Sequence, residues 1–149
     1  MIKTEHLFDL TLRLGTLLSV GTTSIGERRV AGINGGTLVG SKLNGEILSG
    51  SDCQLLRSDG VLEIDAMYVV QLAQGEHVRI INQGYRHGPA EVLERLARGE
   101  AVSADAYFFR TVMRFETGAP SFAWLNKTIA IAQAERQSDS VIFRSFQLL

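Results

Sequence analysis

The tightest constraint in this sequence is a period of two. The segment "LFDLTLRL" (7–14) sets Phe8, Leu10, Leu12 and Leu14 on one side and Leu7, Asp9, Thr11 and Arg13 on the other. That is the pattern of a strand with one buried face. Similar short apolar runs recur between turn dipeptides. Asn34-Gly35, Asn44-Gly45 and Asp59-Gly60 read as hairpin turns, because these residues accept positive φ, and Gln74-Gly75 is a weaker fourth. Strands are expected at about 7–14, 27–33, 36–43, 46–48, 53–57, 61–72, 76–85, 106–117, 123–134 and 140–148.

One segment breaks the alternation. "HGPAEVLERLARGE" has Pro89 suited to a first helical turn, Gly99 suited to the position after the last turn, and an apolar stripe of Val92, Leu93 and Leu96. A single helix of about ten residues is expected there, crossing between two groups of strands. Many short strands, sequential hairpins and one helix predict an all-β, mainly antiparallel fold. The expectation is a closed up-and-down barrel, since closure removes exposed edges, with the helix covering one end. With 149 residues and no linker-like stretch, the chain reads as one domain, 1–149.

Composition narrows the function classes. A net charge of -1 with interspersed acids and bases argues against a nucleic-acid groove or an anionic membrane surface. The single cysteine, Cys53, excludes an internal disulfide framework and reads as buried filler. The start "MIKTEHLFDLTLRL" lacks a signal-peptide pattern, and no run approaches membrane-span length, so a cytoplasmic protein is expected. His6, His77 and His87 are far apart, so no metal site and no cofactor are expected. "GGTLVGSKLNG" has the glycine spacing of a phosphate loop, but the Ser-Lys order is reversed and no helix follows; turn glycines explain it better.

Two stretches concentrate chemistry. If Gln74-Gly75 is a two-residue turn, Glu63, Asp65, Asn82 and Arg86 share one face of the 61–85 hairpin with Met67, Val69 and Ile80. That mixed face is either solvated, with a minor Glu63–Arg86 pair, or it lines a cavity in which a few polar groups orient a ligand. In "YFFRTVMRFETGAPSFAWLNK", Phe108, Arg110, Val112, Arg114 and Glu116 alternate with Tyr107, Phe109, Thr111, Met113 and Phe115. Trp124, Asn126 and Thr128 follow on an expected partner strand. An inward arginine face makes this a site; an outward one makes it an interface or a solvated wall. His87, just before the helix, is a candidate general base or, more simply, a loop histidine.

These residues also resemble a known family. "GINGGTLVGSKLNGEILSGSDCQLLRSDGVLEIDAMY", "INQGYRHGP", "YFFRTVMRFETG" and "FAWLN" occur in an order similar to that of the bacterial and fungal family called domain of unknown function 3237, or UPF0311. The likeness runs from about Gly26 to the C-terminus. It implies a barrel of the calycin or allene-oxide-cyclase kind and carries no reaction. The family's recurrent polar positions match Asp65, Asn82, Arg110, Glu116, Trp124 and Asn126. Cys53 stands where a tryptophan is usual, and Met67 where an arginine is common.

The expected function is therefore small-molecule binding, with two outcomes open. One is an enzyme of the isomerase, cyclase or lyase type acting on a small apolar metabolite, with Asp65 as acid/base and Arg110 orienting an oxygen. Asn82, Glu116, Trp124 and Asn126 would then contact the ligand. The other is a non-catalytic carrier with the same cavity. A homo-oligomeric assembly protein is a third class, and a homo-oligomer is expected under all three.

Overall fold

A computed structural model describes all residues from Met1 to Leu149. Eight strands, β1 (Thr4–Thr23), β2 (Gly26–Val39), β3 (Asn44–Leu56), β4 (Leu62–Leu72), β5 (His77–His87), β6 (Phe108–Glu116), β7 (Ile129–Arg136) and β8 (Val141–Leu148), close into an antiparallel barrel in sequential order. Helix α1 (Ala90–Ala97) lies between β5 and β6. The expected up-and-down barrel with one short helix is the fold observed. Pro89 precedes the first turn of α1, and Gly99 follows its end at φ +78. Val92 and Leu96 reach the barrel core, so the helix stripe closes one end. At the other end the segment Pro120–Lys127 forms 3-10 turns with Leu125 fully buried.

Alternation decides what fills the barrel. On β4, Leu62, Ile64, Ala66, Tyr68, Val70 and Leu72 point inward. On β6 the inward set is Phe109, Thr111, Met113 and Phe115. Strand β1 contributes Phe8, Leu10 and Leu12, as its period predicts, and Leu7 as well, beside a bulge between His6 and Phe8. Strand β7 inverts the usual sizes. Ala130, Ala132 and Ala134 face in, while Ile129 and Ile131 are exposed. These small inward residues leave volume for the long side chains that enter from β2, β3 and β5.

Several turns differ from expectation. Asn34-Gly35 lies inside β2, where the β1–β2 register shifts and Gly35 takes φ +92; it is a bulge rather than a hairpin turn. The β1–β2 hairpin turns instead at residues 24–25, because its strands run on to Thr23 and Gly26. Asn44 opens β3, and its side chain bonds both backbone groups of Gly40 to close the preceding turn. Asp59-Gly60 is a turn as expected, with Gly60 at φ +87. The strand expected at 123–134 begins only at Ile129, since Pro120 starts 3-10 turns instead.

The β4–β5 hairpin carries the most consequential difference. Its loop has three residues, 73–75. The Leu72 N–H donates to the Glu76 carbonyl at 2.7 Å, and Gly75 sits at φ +99. Asn82 consequently pairs with Ala66, not Met67, and Arg86 with Leu62, not Glu63. A one-residue shift moves every side chain of one strand to the other face. Asn82 and Arg86 thus part from Glu63 and Asp65.

Candidate functional site

The residues singled out by sequence do not share one cavity. Asp65 points outward, where Gln83 Nε2 donates to its Oδ1 at 2.9 Å. Arg110 also points outward. Its guanidinium donates to the Phe109 carbonyl at 3.0 Å and lies 5.4 Å from the Phe108 ring centre. Phe108 in turn stacks on His87 at 4.6 Å. Asp65 and Arg110 both line a groove of about 800 Å³ on the outer wall, shared with Tyr85, Val112 and Ile131.

Glu116 and Asn126 line a different surface recess, of about 420 Å³. Asn126 serves the backbone there. Its Oδ1 accepts from the Thr117 N–H at 2.8 Å and its Nδ2 donates to the Thr117 carbonyl at 2.9 Å. Trp124 is half-buried against the core at the 3-10 end, with the Lys42 ammonium 5.7 Å from its ring. The Glu63–Arg86 pair does not form, and Glu63 instead meets Arg57 at 3.3 Å. Cys53 is half-buried rather than core filler. No group of three or more His, Cys, Asp and Glu side chains is placed to hold a metal ion.

Of the six, only Asn82 points into the barrel, and it does so among polar residues that periodicity alone does not mark. Asp52 and Gln54 alternate inward along β3 and are each 6% exposed. Arg29 enters from β2, donating from Nη2 to Gln54 Oε1 at 3.2 Å, and Gln54 Nε2 donates to Asp52 Oδ2 at 2.9 Å. Asn82 Nδ2 donates to the Tyr68 hydroxyl at 3.2 Å, with both side chains sealed from solvent. The Tyr107 hydroxyl oxygen accepts the Arg136 N–H at 2.8 Å.

This inner set is incompletely satisfied. Asp52 Oδ1, Asn82 Oδ1, Thr111 Oγ1, Arg29 Nε and Arg86 Nε are buried without a hydrogen-bond partner. Buried polar atoms are normally paired, because leaving one bare costs roughly 1–3 kcal/mol. Burial also changes the acid–base character of the set. It raises the Asp52 carboxyl above its ordinary range, and the Gln54 hydrogen bond and the Arg86 and Arg29 charges only partly offset it. Burial, and then repulsion from Arg136, lowers the Arg86 guanidinium to about 10. Burial pushes the Tyr68 phenol well up. The sequence holds only a weak signal for this set: Asp52 and Gln54 lie two residues apart on β3, and Arg29 lies two residues from buried Ala31 on β2. Reading 46–48 and 53–57 as separate strands masks it.

One member of the inner set, Gln54, also borders the outside. Beyond Leu12, β1 no longer pairs with β8 and continues only against β2. A cleft of about 140 Å³ lies in the resulting gap, between Leu14, Gly15 and Leu17 of β1 and the β7–β8 turn, with Gln54 and Arg136 also lining it.

Comparison with known proteins agrees with this barrel. A UPF0311 protein of Bradyrhizobium diazoefficiens is 38% identical over 149 residues, covering 99% of this chain and 97% of that one. The crystal structure of a conserved protein of unknown function from Rhodopseudomonas palustris has TM-score 0.93 and 36% identity, covering 100% of this chain and 98% of the other. A structure described as an enzyme from Penicillium herquei has TM-score 0.76 at 16% identity, with 99% and 95% covered, a likeness of fold alone. The family profile described as "Protein of unknown function (DUF3237)" matches residues 2–148, and the chain belongs to that family.

Proposed function

We propose that this barrel binds a small oxygen-bearing metabolite at the inner polar set, and that Asp52 serves there as a proton-transfer group. The observation that carries the reading is the set of five buried, partnerless polar atoms from Asp52, Asn82, Thr111, Arg29 and Arg86 inside a barrel whose core is mainly apolar. A few convergent polar groups on apolar walls are what small-molecule sites use. A carboxyl whose affinity for a proton is raised by burial is suited to acid–base work.

The chemistry that fits is isomerisation next to a carbonyl. Asp52 Oδ1 takes a proton from the carbon beside the carbonyl, so a C–H bond breaks and an O–H bond forms. The charge that develops on the substrate oxygen meets the free N–H of Arg29 or Arg86. In a hydroxy-carbonyl substrate the hydroxyl proton passes to the enediolate oxygen, a new carbonyl forms on the carbon that lost its hydrogen, and Asp52 returns its proton to the former carbonyl carbon, with no oxidant or reductant needed. A carrier would use the same groups without the transfer.

The test follows the side-chain amide NMR signals of Gln54 and Asn82 while a panel of small hydroxy-carbonyl compounds is added. Compounds that move those two signals, and lose affinity in Asp52→Asn, support the inner site. Shifts confined to residues of the outer groove, such as Gln83 and Gln133, would place the site outside and return Asp65 and Arg110 to the leading role. Mass spectrometry of the incubated compounds then separates enzyme from carrier.

The outer groove favours a second role as a subunit contact. Tyr85, Phe108, Val112, Ile129 and Ile131 are each more than 40% exposed on neighbouring strands, while β7 turns alanines inward. An apolar wall of that kind, with Asp65 and Arg110 offering opposite charges, suits a two-fold partner. Val112→Glu is expected to lower the mass seen by light scattering if the native protein is a dimer.

A further inference from the structure

We infer that the ligand of the inner set is anionic, a small carboxylate that enters between β1 and the β7–β8 turn and is held by Arg29 and Arg86. The inference rests on the site proposed above and names its ligand class. Three guanidinium groups, from Arg29, Arg86 and Arg136, gather at this end of the barrel around one buried carboxylate, Asp52. Asp52 is already engaged through Oδ2 by Gln54. Of the other acids at this end, Glu27 accepts from Ser19 at 2.7 Å, Glu63 meets Arg57 at 3.3 Å, Asp139 is exposed on the β7–β8 turn, and half-buried Glu135 lies beside Tyr107.

Arg136 spends its Nε on the Gln137 carbonyl at the surface, so inside the barrel two guanidinium groups, Arg29 and Arg86, face one carboxylate, Asp52. Uncompensated buried charge is costly, and an anion that reaches it removes the cost. Guanidinium groups are also the side chains best shaped for a carboxylate, which can accept from two N–H donors at once. Both Arg29 and Arg86 hold a buried Nε–H that no protein group uses. Gln54 links the two regions, being buried in the polar set while lining the entrance cleft. The cleft's size of about 140 Å³ is, at ~30 Å³ per water, the volume of four or five water molecules, room for a short carboxylate.

The two probes that test this are trifluoroacetate and trifluoroacetamide, nearly equal in shape and different in charge, followed by fluorine NMR against the intact protein. Trifluoroacetate is expected to show a saturable shift, with the amide at least tenfold weaker. Arg86→Met, or Arg29→Met if the first variant does not fold by circular dichroism, is expected to weaken the anion at least tenfold. Arg110→Met on the outer wall should leave it unchanged. Equal binding of both probes overturns the anionic class, as does loss of trifluoroacetate binding only in Arg110→Met. If the amide alone moves the Gln54 and Asn82 signals, the inner site stands and its charge preference falls. If neither probe moves them while both bind elsewhere, the site and its ligand class fall together.

Discussion

Asn126 shows how a residue with a site-like signature can serve the backbone beside it. Its carboxamide copies a strand partner, giving Thr117 one acceptor and one donor across nine residues of chain. Thr117 in turn donates from its hydroxyl to the His77 carbonyl at 2.7 Å, so the pair fixes the exit of β6 against the start of β5. Asn126→Ala leaves the buried Thr117 backbone short of both bonds and is expected to cost about 1–3 kcal/mol in urea unfolding. Ligand binding at the inner set should not change. Asn82 is the opposite case. It is fully buried, spends only its donor on Tyr68, and keeps a free oxygen inside the barrel.

At the scale of elements, strand pairing sets which glycines are replaceable. On Gly84 an added Cβ would lie 2.1 Å from the Arg110 carbonyl oxygen and 2.6 Å from Thr111 Cα, both on β6. The β5–β6 ladder therefore has to part, and Gly84→Ala is expected to destabilise by roughly 1–3 kcal/mol, as overpacking does. Gly32 has open space around the same position and no left-handed φ. Gly32→Ala is expected to be neutral or to stabilise by up to ~1 kcal/mol, through the unfolded chain. Thermal unfolding of the two variants side by side checks the pair. Equal effects would mean that β5 and β6 are not packed backbone to backbone at Gly84.

For the whole molecule, the buried charge ties stability to pH. Burial raises the Asp52 carboxyl in the folded state, so the folded protein holds that proton at pH values where the unfolded chain has released it. The Asp52 contribution is fully favourable below the unfolded carboxylate range near pH ~4. It is lost as pH rises through the raised folded value. Relative to Asp52→Asn, the native protein is therefore expected to lose unfolding free energy as pH rises above the unfolded carboxylate range. Exposed carboxylates such as Glu5 and Asp59, lowered by hydrogen bonds, act in the opposite direction and are common to both proteins. A difference curve that stays flat with pH would mean that Asp52 is not desolvated.

The sequence by itself determined the architecture. Alternation in 7–14, 61–72 and 106–117, together with Pro89 and Gly99 around 90–97, is local physics, and local physics settled strand, helix and closed barrel. Motif order settled the family. Only the tertiary structure decided which polar residues meet. That depended on a three-residue loop at 73–75 where two residues were expected, and on the bulge at Gly35. Each is a difference of a single residue, which propensity resolves poorly and pairing across strands resolves completely. Asp65 and Arg110 stand on the outer wall because their strand neighbours Ile64, Ala66, Phe109 and Thr111 face the core. Asn82 joins Asp52, Gln54, Arg29 and Arg86 inside, because the side a residue faces is fixed by its partner across the sheet.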